Sequence, residues 1–281
     1  MRRVIFNQKG GVGKSTITCN LAAISADKGL RTLVVDLDPQ SNSTQYLLGR
    51  NAANFVPTIA DYFTQVLQFR FSAGNANQFV HATAFKNLYI IPAAPELEFV
   101  LTRLENRQKI YKLRSLLDKV GPFDNIFIDT PPAMNFFTKS ALIASDTCLI
   151  PFDCDLFSRN AIYQLFRGVT EIREKYNKKL RVEGVVVNQF QPGAALPKKL
   201  VDELKNEGLP IISTYLSSSI KIKESHDVAL PMIYFARNHK VTMEFLRIFQ
   251  TLQTHEITEP DAFRTVRKVD LADLIAENLE A

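Results

Sequence analysis

No stretch of this chain stays apolar for anything near the ~20 residues that a helix needs to cross a bilayer. The longest apolar runs, such as residues 32–35, are the length of a strand. The residues after Arg2 and Arg3 turn at once into a strand pattern at 4–6, with no room for the apolar core and cleavage site of a signal peptide, so a cytoplasmic protein is expected. Cysteine is scarce. Cys19, Cys148 and Cys154 form no CxxC pair, which excludes the usual zinc and iron–sulfur ligand sets and leaves the thiols as small buried filler. There is no internal repeat and no low-complexity tract.

What is present is enough for a large fold. A chain of 281 residues with 46% hydrophobic composition can fill one sizeable α/β core. The formal net charge is +5, and residues 256–281 hold seven acids against three bases, which leaves +9 on the body before them. Such an excess suits a polyanion partner, and equally a scattered basic surface that confers solubility.

Short β-branched or apolar runs at 4–6, 33–35, 88–91, 126–128, 147–151 and 182–187 alternate with longer amphipathic stretches. That rhythm predicts an α/β fold, a mostly parallel twisted sheet covered by helices on both faces. Helices are expected over 14–28, with Gly29 ending the first, over 158–176 and over 197–206. Residues 51–86, rich in Phe, Asn and Gln with weak periodicity, read as a short helix plus a long loop. One domain over 1–255 and an acidic helical tail over 256–281, packed on it or flanking it, is the expected division.

Between the first strand and the first helix runs Gln8-Lys9-Gly10-Gly11-Val12-Gly13-Lys14-Ser15-Thr16. Glycines at such a strand–helix junction let backbone N–H groups turn inward onto phosphate oxygens, where a Cβ would block the turn or the approach. In this pattern Lys14 bridges the β and γ phosphates, the Ser15 hydroxyl binds Mg²⁺, and Thr16 lies near the α phosphate. Three glycines, a lysine and a hydroxyl in register make a loop that binds nothing a poor account.

The form KGGVGKS, with the additional Lys9 after Gln8, resembles the deviant Walker A motif of the ParA/MinD family of P-loop ATPases. The resemblance implies ATP with Mg²⁺, and a nucleotide-sandwich homodimer in which Lys9 reaches the partner's phosphates, in the manner of an arginine finger. Asp36-Leu37-Asp38-Pro39-Gln40 is similar to the family's switch I, implying that Asp38 orients the attacking water and Asp36 lies near the magnesium shell. Phe127-Ile128-Asp129-Thr130-Pro131-Pro132 resembles its Walker B and switch II, implying that Asp129 accepts from a magnesium-bound water. Asn188, at the end of the strand over 182–187, stands where relatives read adenine with a side-chain amide. The Pro-Arg pair of the family's next adenine loop is absent, with Leu216-Ser217-Ser218-Ser219 in its place.

Within that family three classes compete. A ParA-like positioning ATPase binds nucleoid DNA without sequence preference as an ATP dimer and is released when a ParB-like or analogous adaptor stimulates a slow hydrolysis. A MinD-like regulator sits on the membrane, and a metabolic P-loop enzyme acts on a small molecule. A MinD-like anchor is a basic amphipathic helix, whereas residues 269–280 are amphipathic and acidic, so anionic headgroups would repel them. Lys198, Lys199, Lys221, Lys223, Arg237, Lys240 and Arg247 give the second half the basic side chains that DNA phosphates require. No helix-turn-helix segment precedes Lys9, so a sequence-specific repressor is not expected. A partition or positioning ATPase, cytoplasmic and nucleoid-associated, is the reading these features support.

Overall fold

The alternation of apolar residues along the strands decides the architecture. Val4 and Phe6 face one side of the sheet and Ile5 the other; Leu33 and Val35 oppose Val34, and Ile126 and Ile128 oppose Phe127, all fully or nearly fully buried. A strand apolar on both faces must be covered twice, and that is the structure found. A computed structural model describes residues 1–69, 73–153, 159–191 and 195–254. The acidic tail over 256–281, Cys154 and the predicted helix start at Ser158 lie outside the described residues.

The elements run β1 (Arg2–Ile5), α1 (Lys14–Asp27), β2 (Thr32–Asp36), α2 (Asn42–Leu48), α3 (Ile59–Leu67), β3 (His81–Ala82), β4 (Leu88–Ile91), α4 (Leu97–Asn106), α5 (Lys112–Leu117), β5 (Asn125–Asp129), α6 (Phe136–Ala144), β6 (Thr147–Asp153), α7 (Arg159–Lys175), β7 (Arg181–Asn188), α8 (Ala195–Asn206), α9 (Ile220–Asp227), α10 (Met232–Phe235) and α11 (Lys240–Thr254). The strand order is β3-β4-β2-β5-β1-β6-β7, with only the short β3 antiparallel. One face carries α3 to α8 over a core that includes Phe63, Phe136, Phe137 and Phe166. The other carries α1, α2 and α9 to α11 over Ile17, Tyr46, Phe127 and Phe245. Both described cysteines, Cys19 and Cys148, are buried and unpaired, as filler should be.

Helix α1 ends where its glycine allows. Gly29 takes φ +87°, its N–H reaches Ala26 O at 2.9 Å, and Leu30 N reaches Ser25 O at 3.2 Å, a Schellman closure. The stretch 51–86 holds more structure than its weak periodicity predicts. Thr58 and Asp61 form a capping box that starts α3, and α3 buries Ile59, Tyr62, Phe63, Val66 and Leu67 on one side. Two 3₁₀ turns, Gly49–Asn54 and Ala73–Phe79, and β3 fill most of the expected loop.

The start of the sheet, at the end opposite the strand ends where Asp36 and Asp129 lie, is tied by one buried ion pair. Arg3 in β1 donates from Nε to Glu183 in β7 at 2.9 and 3.1 Å, and from Nη1 to Asn125 Oδ1 in β5 at 2.9 Å. Thr147 in β6 donates to the same Glu183 carboxylate at 2.7 Å. Four strands therefore share one charge pair whose side chains are only 3% and 1% exposed. Removing one member of a buried pair leaves the other desolvated and uncompensated. Arg3→Met is expected to lower the free energy of unfolding in urea by about 3–5 kcal/mol, with the double variant Arg3→Met/Glu183→Met recovering most of it. A loss under about 1 kcal/mol for the single variant would show that the pair ties nothing together.

Candidate functional site

The loop over 7–13 leaves the C-terminal end of β1, between β5 and β6, where an open parallel sheet binds its ligands. Asn7 opens it: its Nδ2 donates to Pro151 O at 2.7 Å and its Oδ1 accepts from Lys9 N at 2.9 Å. Gly13, at φ +87°, is required twice over. The left-handed backbone disfavours a side chain, and a Cβ there would lie 2.3 Å from Asn188 Nδ2. A Cβ at Gly10 would meet no protein atom within 4 Å, so the protein's own packing leaves open space there.

Helix α1 begins at Lys14 with no side-chain cap, and its first backbone bond is Ile17 N to Gly13 O at 2.9 Å. The first-turn N–H groups of Lys14, Ser15 and Thr16 thus have no intrahelical acceptor and point their positive dipole end at the loop. Lys14 is buried, and its Nζ donates to Lys9 O at 2.8 Å. Burial lowers its pKa, while Asp129 and Asp38 pull the other way.

Under the loop stand the two acids expected there. Asp36 ends β2 and Asp129 ends β5, opposite each other in the parallel register and both fully buried. Asp36 accepts from Thr44 N and Oγ1, each at 2.8 Å, and from Asp38 N at 3.0 Å. Asp129 accepts from Ser43 Oγ at 2.7 Å and from the Ser15 hydroxyl. Burial first, and the Asp129 charge second, push Asp36 up to about 8. Burial pushes Asp129 up to about 6 against the opposing pull of Ser15, Ser43 and Lys14. Two buried acids held above the ordinary carboxylate range, beside the Ser15 hydroxyl, are oxygen donors that a divalent cation would suit. Among the described residues no cluster of three or more His, Cys, Asp or Glu forms a protein-only metal cage. Magnesium would fit such a seat by completing its shell with phosphate and water oxygens.

Asp38 is buried in a fixed turn, its Oδ1 accepting from Gln40 N at 3.0 Å and its carbonyl from Ser41 N at 2.8 Å. Asn188 braces the loop from β7: its Nδ2 donates to Val12 O at 3.0 Å, and its neighbour Gln189 donates to Gly11 O at 3.2 Å. Thr16 Oγ1 lies 3.1 Å from His226 Nε2. The structure therefore brings Gly10 to Thr16, Asp36, Asp38, Asp129 and Asn188 to one place. The seven basic residues lie on α8, α9, α11 and the turn after α10, all exposed. Sequence reasoning missed Ser43, Thr44, Gln189 and His226. The run Ser41-Asn42-Ser43-Thr44 directly after the Asp-Pro-Gln turn was the available signal for the first two, since hydroxyls so close to a buried acid have an obvious acceptor.

Two cavities are lined by residues next to the site. One of about 800 Å³ is lined by Gln8, Met134, Phe136 and Gly168. Another of about 680 Å³ lies along Pro39, Gln40, Ser41 and Thr44.

The raised acids set a pH dependence. A carboxyl whose pKa is higher folded than unfolded binds its proton more tightly when folded. Its contribution is therefore fully present below the ordinary value of 3.8 and is lost as pH rises, for Asp36 up to about 8. In EDTA and without nucleotide, the melting temperature of Asp36→Asn should rise relative to the unsubstituted protein by several degrees between pH 6 and pH 9, because Asn cannot ionise. A difference that does not change with pH would mean that the pair is not a source of electrostatic strain.

Comparison with known proteins agrees with this geometry. The family described as AAA domain matches residues 3–182. The chromosome partitioning protein ParA of Myxococcus xanthus is 30% identical over 257 residues, covering 90% of this chain and 87% of that protein. McdA of Cyanothece in complex with ATP shares the fold at a TM-score of 0.77 and 20% identity, covering 92% of this chain and 98% of that one. Cobyrinic acid a,c-diamide synthase of Mycobacterium smegmatis, with a bound ATP analog and magnesium, does so at 0.76 and 22%, covering 92% and 97%. The two folds match almost equally, so it is the sequence relationship that discriminates among the classes. With a family match over most of its length and a full-length partition relative, this chain belongs to the ParA/MinD family of P-loop ATPases.

Proposed function

We propose that this protein is a ParA-like positioning ATPase. It forms a dimer around ATP, binds DNA without sequence preference, and is released when an adaptor of ParB-like or analogous type stimulates its hydrolysis. The observation that carries the reading is the loop itself. Lys9 and Lys14 are joined through the Lys9 carbonyl, above a register-paired Asp36 and Asp129.

In this reading the backbone N–H groups of residues 10–16 and the Lys14 ammonium hold the triphosphate. Ser15 and Asp129, with Asp36 behind them, hold magnesium, whose chemistry when bound is to neutralise charge on the β and γ phosphate oxygens. Phosphoryl transfer needs its nucleophile held in line more than it needs a strong base. Asp38 has one carboxylate oxygen committed to Gln40 N, which fixes the side chain and directs the other oxygen at the attacking water. Asn188, with Nδ2 engaged by Val12, offers Oδ1 to the adenine amino group. The ParA relative from Myxococcus xanthus, named for chromosome partitioning, favours the DNA-borne class over the synthase that shares the fold.

The basic residues divide by their neighbours. Lys221 pairs with Glu224 at 2.6 Å, Arg237 with Asp27 at 2.8 Å, and Lys199 and Lys240 stand 3.8 Å from Glu203 and Glu244. The pairs of Lys199 and Lys221 are exposed on both sides, contribute little and exchange readily for phosphate, whereas Glu244 is buried and Asp27 partly so. Among the described residues no acid lies within ion-pair distance of Lys198, Lys223 or Arg247, which makes these three the foremost phosphate contacts. Among the described residues no helix is long and apolar enough to cross a membrane.

With ATP and Mg²⁺, the protein should retard unrelated duplexes alike, and its affinity should fall by about tenfold or more between 50 and 200 mM salt. The triple variant Lys198→Glu/Lys223→Glu/Arg247→Glu should lose retardation while still binding ATP. Vesicles of anionic lipid should not sediment the protein. ATP-dependent sedimentation with vesicles and no retardation of DNA would support the MinD-like class instead.

A further inference from the structure

The Thr16 hydroxyl has a second neighbour besides the phosphate seat. His226, in the last turn of α9, lies with its Nε2 3.1 Å from Thr16 Oγ1, across a separation of 210 residues. The imidazole is held in its plane by stacking on Tyr46, with ring centroids 3.8 Å apart and planes 11° from parallel. Tyr46 is fixed in turn: its hydroxyl lies 2.8 Å from Ser225 Oγ and accepts from Asn20 Nδ2 at 3.3 Å. Asn20 closes the circuit by donating to Thr16 O at 2.9 Å. Residues of α1, α2 and α9 thus form one ring of contacts around the first turn of the phosphate-facing helix, and the imidazole cannot swing away without breaking its stack.

A threonine hydroxyl has a single proton. If the imidazole accepted it, Thr16 would turn only lone pairs toward an anion, which is repulsive. With the proton on Nε2, the imidazole donates to Oγ1 and the Thr16 proton must go elsewhere. We propose that His226 is a positioning residue of the nucleotide site. Its Nε2–H donates to Thr16 Oγ1 and thereby directs the Thr16 hydroxyl proton onto the α-phosphate oxygen of a bound adenosine nucleotide. This rests on the reading of the loop as the nucleotide seat with Thr16 beside the α phosphate. Burial lowers the His226 pKa against the opposing pull of Asp227, which keeps the ring neutral with one proton to place. The α phosphate is common to ATP and ADP, so His226 supports both, unlike Asp38, which acts where the γ phosphate is.

The experiment uses the full chain with Mg²⁺ and titrates fluorescent ADP. His226→Phe keeps an aromatic ring on Tyr46 and removes Nε2, and His226→Gln supplies an amide N–H without the ring. His226→Phe should weaken ADP binding about tenfold and leave the melting temperature without nucleotide nearly unchanged. His226→Gln should recover a substantial part of that loss. Thr16→Val/His226→Phe should bind no more weakly than Thr16→Val alone, because both substitutions remove the same contact. Binding by His226→Phe within about twofold of the unsubstituted protein would overturn the proposal, and so would full additivity of the two losses. If His226→Phe does not fold, His226→Gln beside Thr16→Val/His226→Gln makes the same additivity test. An unsubstituted protein that binds neither ADP nor ATP would overturn the underlying reading of the loop itself, a failure distinct from loss of coupling between these two residues.

Discussion

The site is organised around two carboxylates that the parallel register of β2 and β5 forces together. Asp36 and Asp129 face each other at the strand ends with no exposure to solvent, and neither can ionise there without compensation. Their surroundings follow from that need. Thr44 and the Asp38 N–H are committed to Asp36, Ser43 and Ser15 to Asp129, and Lys14 supplies the nearby positive charge. The hydroxyls that satisfy the acids come from the start of α2 and the start of α1, so both helix starts are bound to the same pair. A change in charge at the seat is therefore felt by the loop, by the Asp-Pro-Gln turn and by the first turn of α2 together.

Much of this was legible in the sequence because it depends on local chemistry. All six strands expected from apolar runs are strands, since a run buried on both faces has few alternatives inside an α/β layer. The phosphate loop was legible because glycines at a strand–helix junction have a narrow purpose, and Gly13 shows it with its positive φ and the close approach of Asn188. The stretch 51–86 was less so. Its helix α3 is announced by Thr58 and Asp61 at capping-box spacing, but its apolar residues are interrupted on either side by 3₁₀ turns, which carry no 3.6-residue period. His226 was invisible for a different reason: the contact that gives it meaning joins residues 210 apart, and nothing in a helix end reading Ser-His-Asp announces a partner in another helix.

The proposed cycle asks one residue of the loop to act beyond its own subunit. Lys14, the first-turn N–H groups and Ser15 already make a complete phosphate seat. The Lys9 backbone belongs to it as well, through the N–H to Asn7 and the carbonyl that accepts from Lys14. In the proposed cycle the Lys9 side chain acts on the partner's nucleotide. Lys9→Ala keeps both backbone contacts and removes the side chain that the proposal assigns to the partner, so it is the substitution that tests whether binding and assembly separate.

The most direct measurement is light scattering of the Asp38→Ala protein, which the proposed role of Asp38 makes slow to hydrolyse, with ATP and Mg²⁺, with and without the Lys9→Ala change, beside a nucleotide titration of both. The account predicts a dimer for Asp38→Ala, a monomer for the double variant, and an ATP affinity lowered by no more than about an order of magnitude, the loss coming from the linked dimerisation alone because the cradle lies within one subunit. A full ATP dimer without the Lys9 side chain would contradict it.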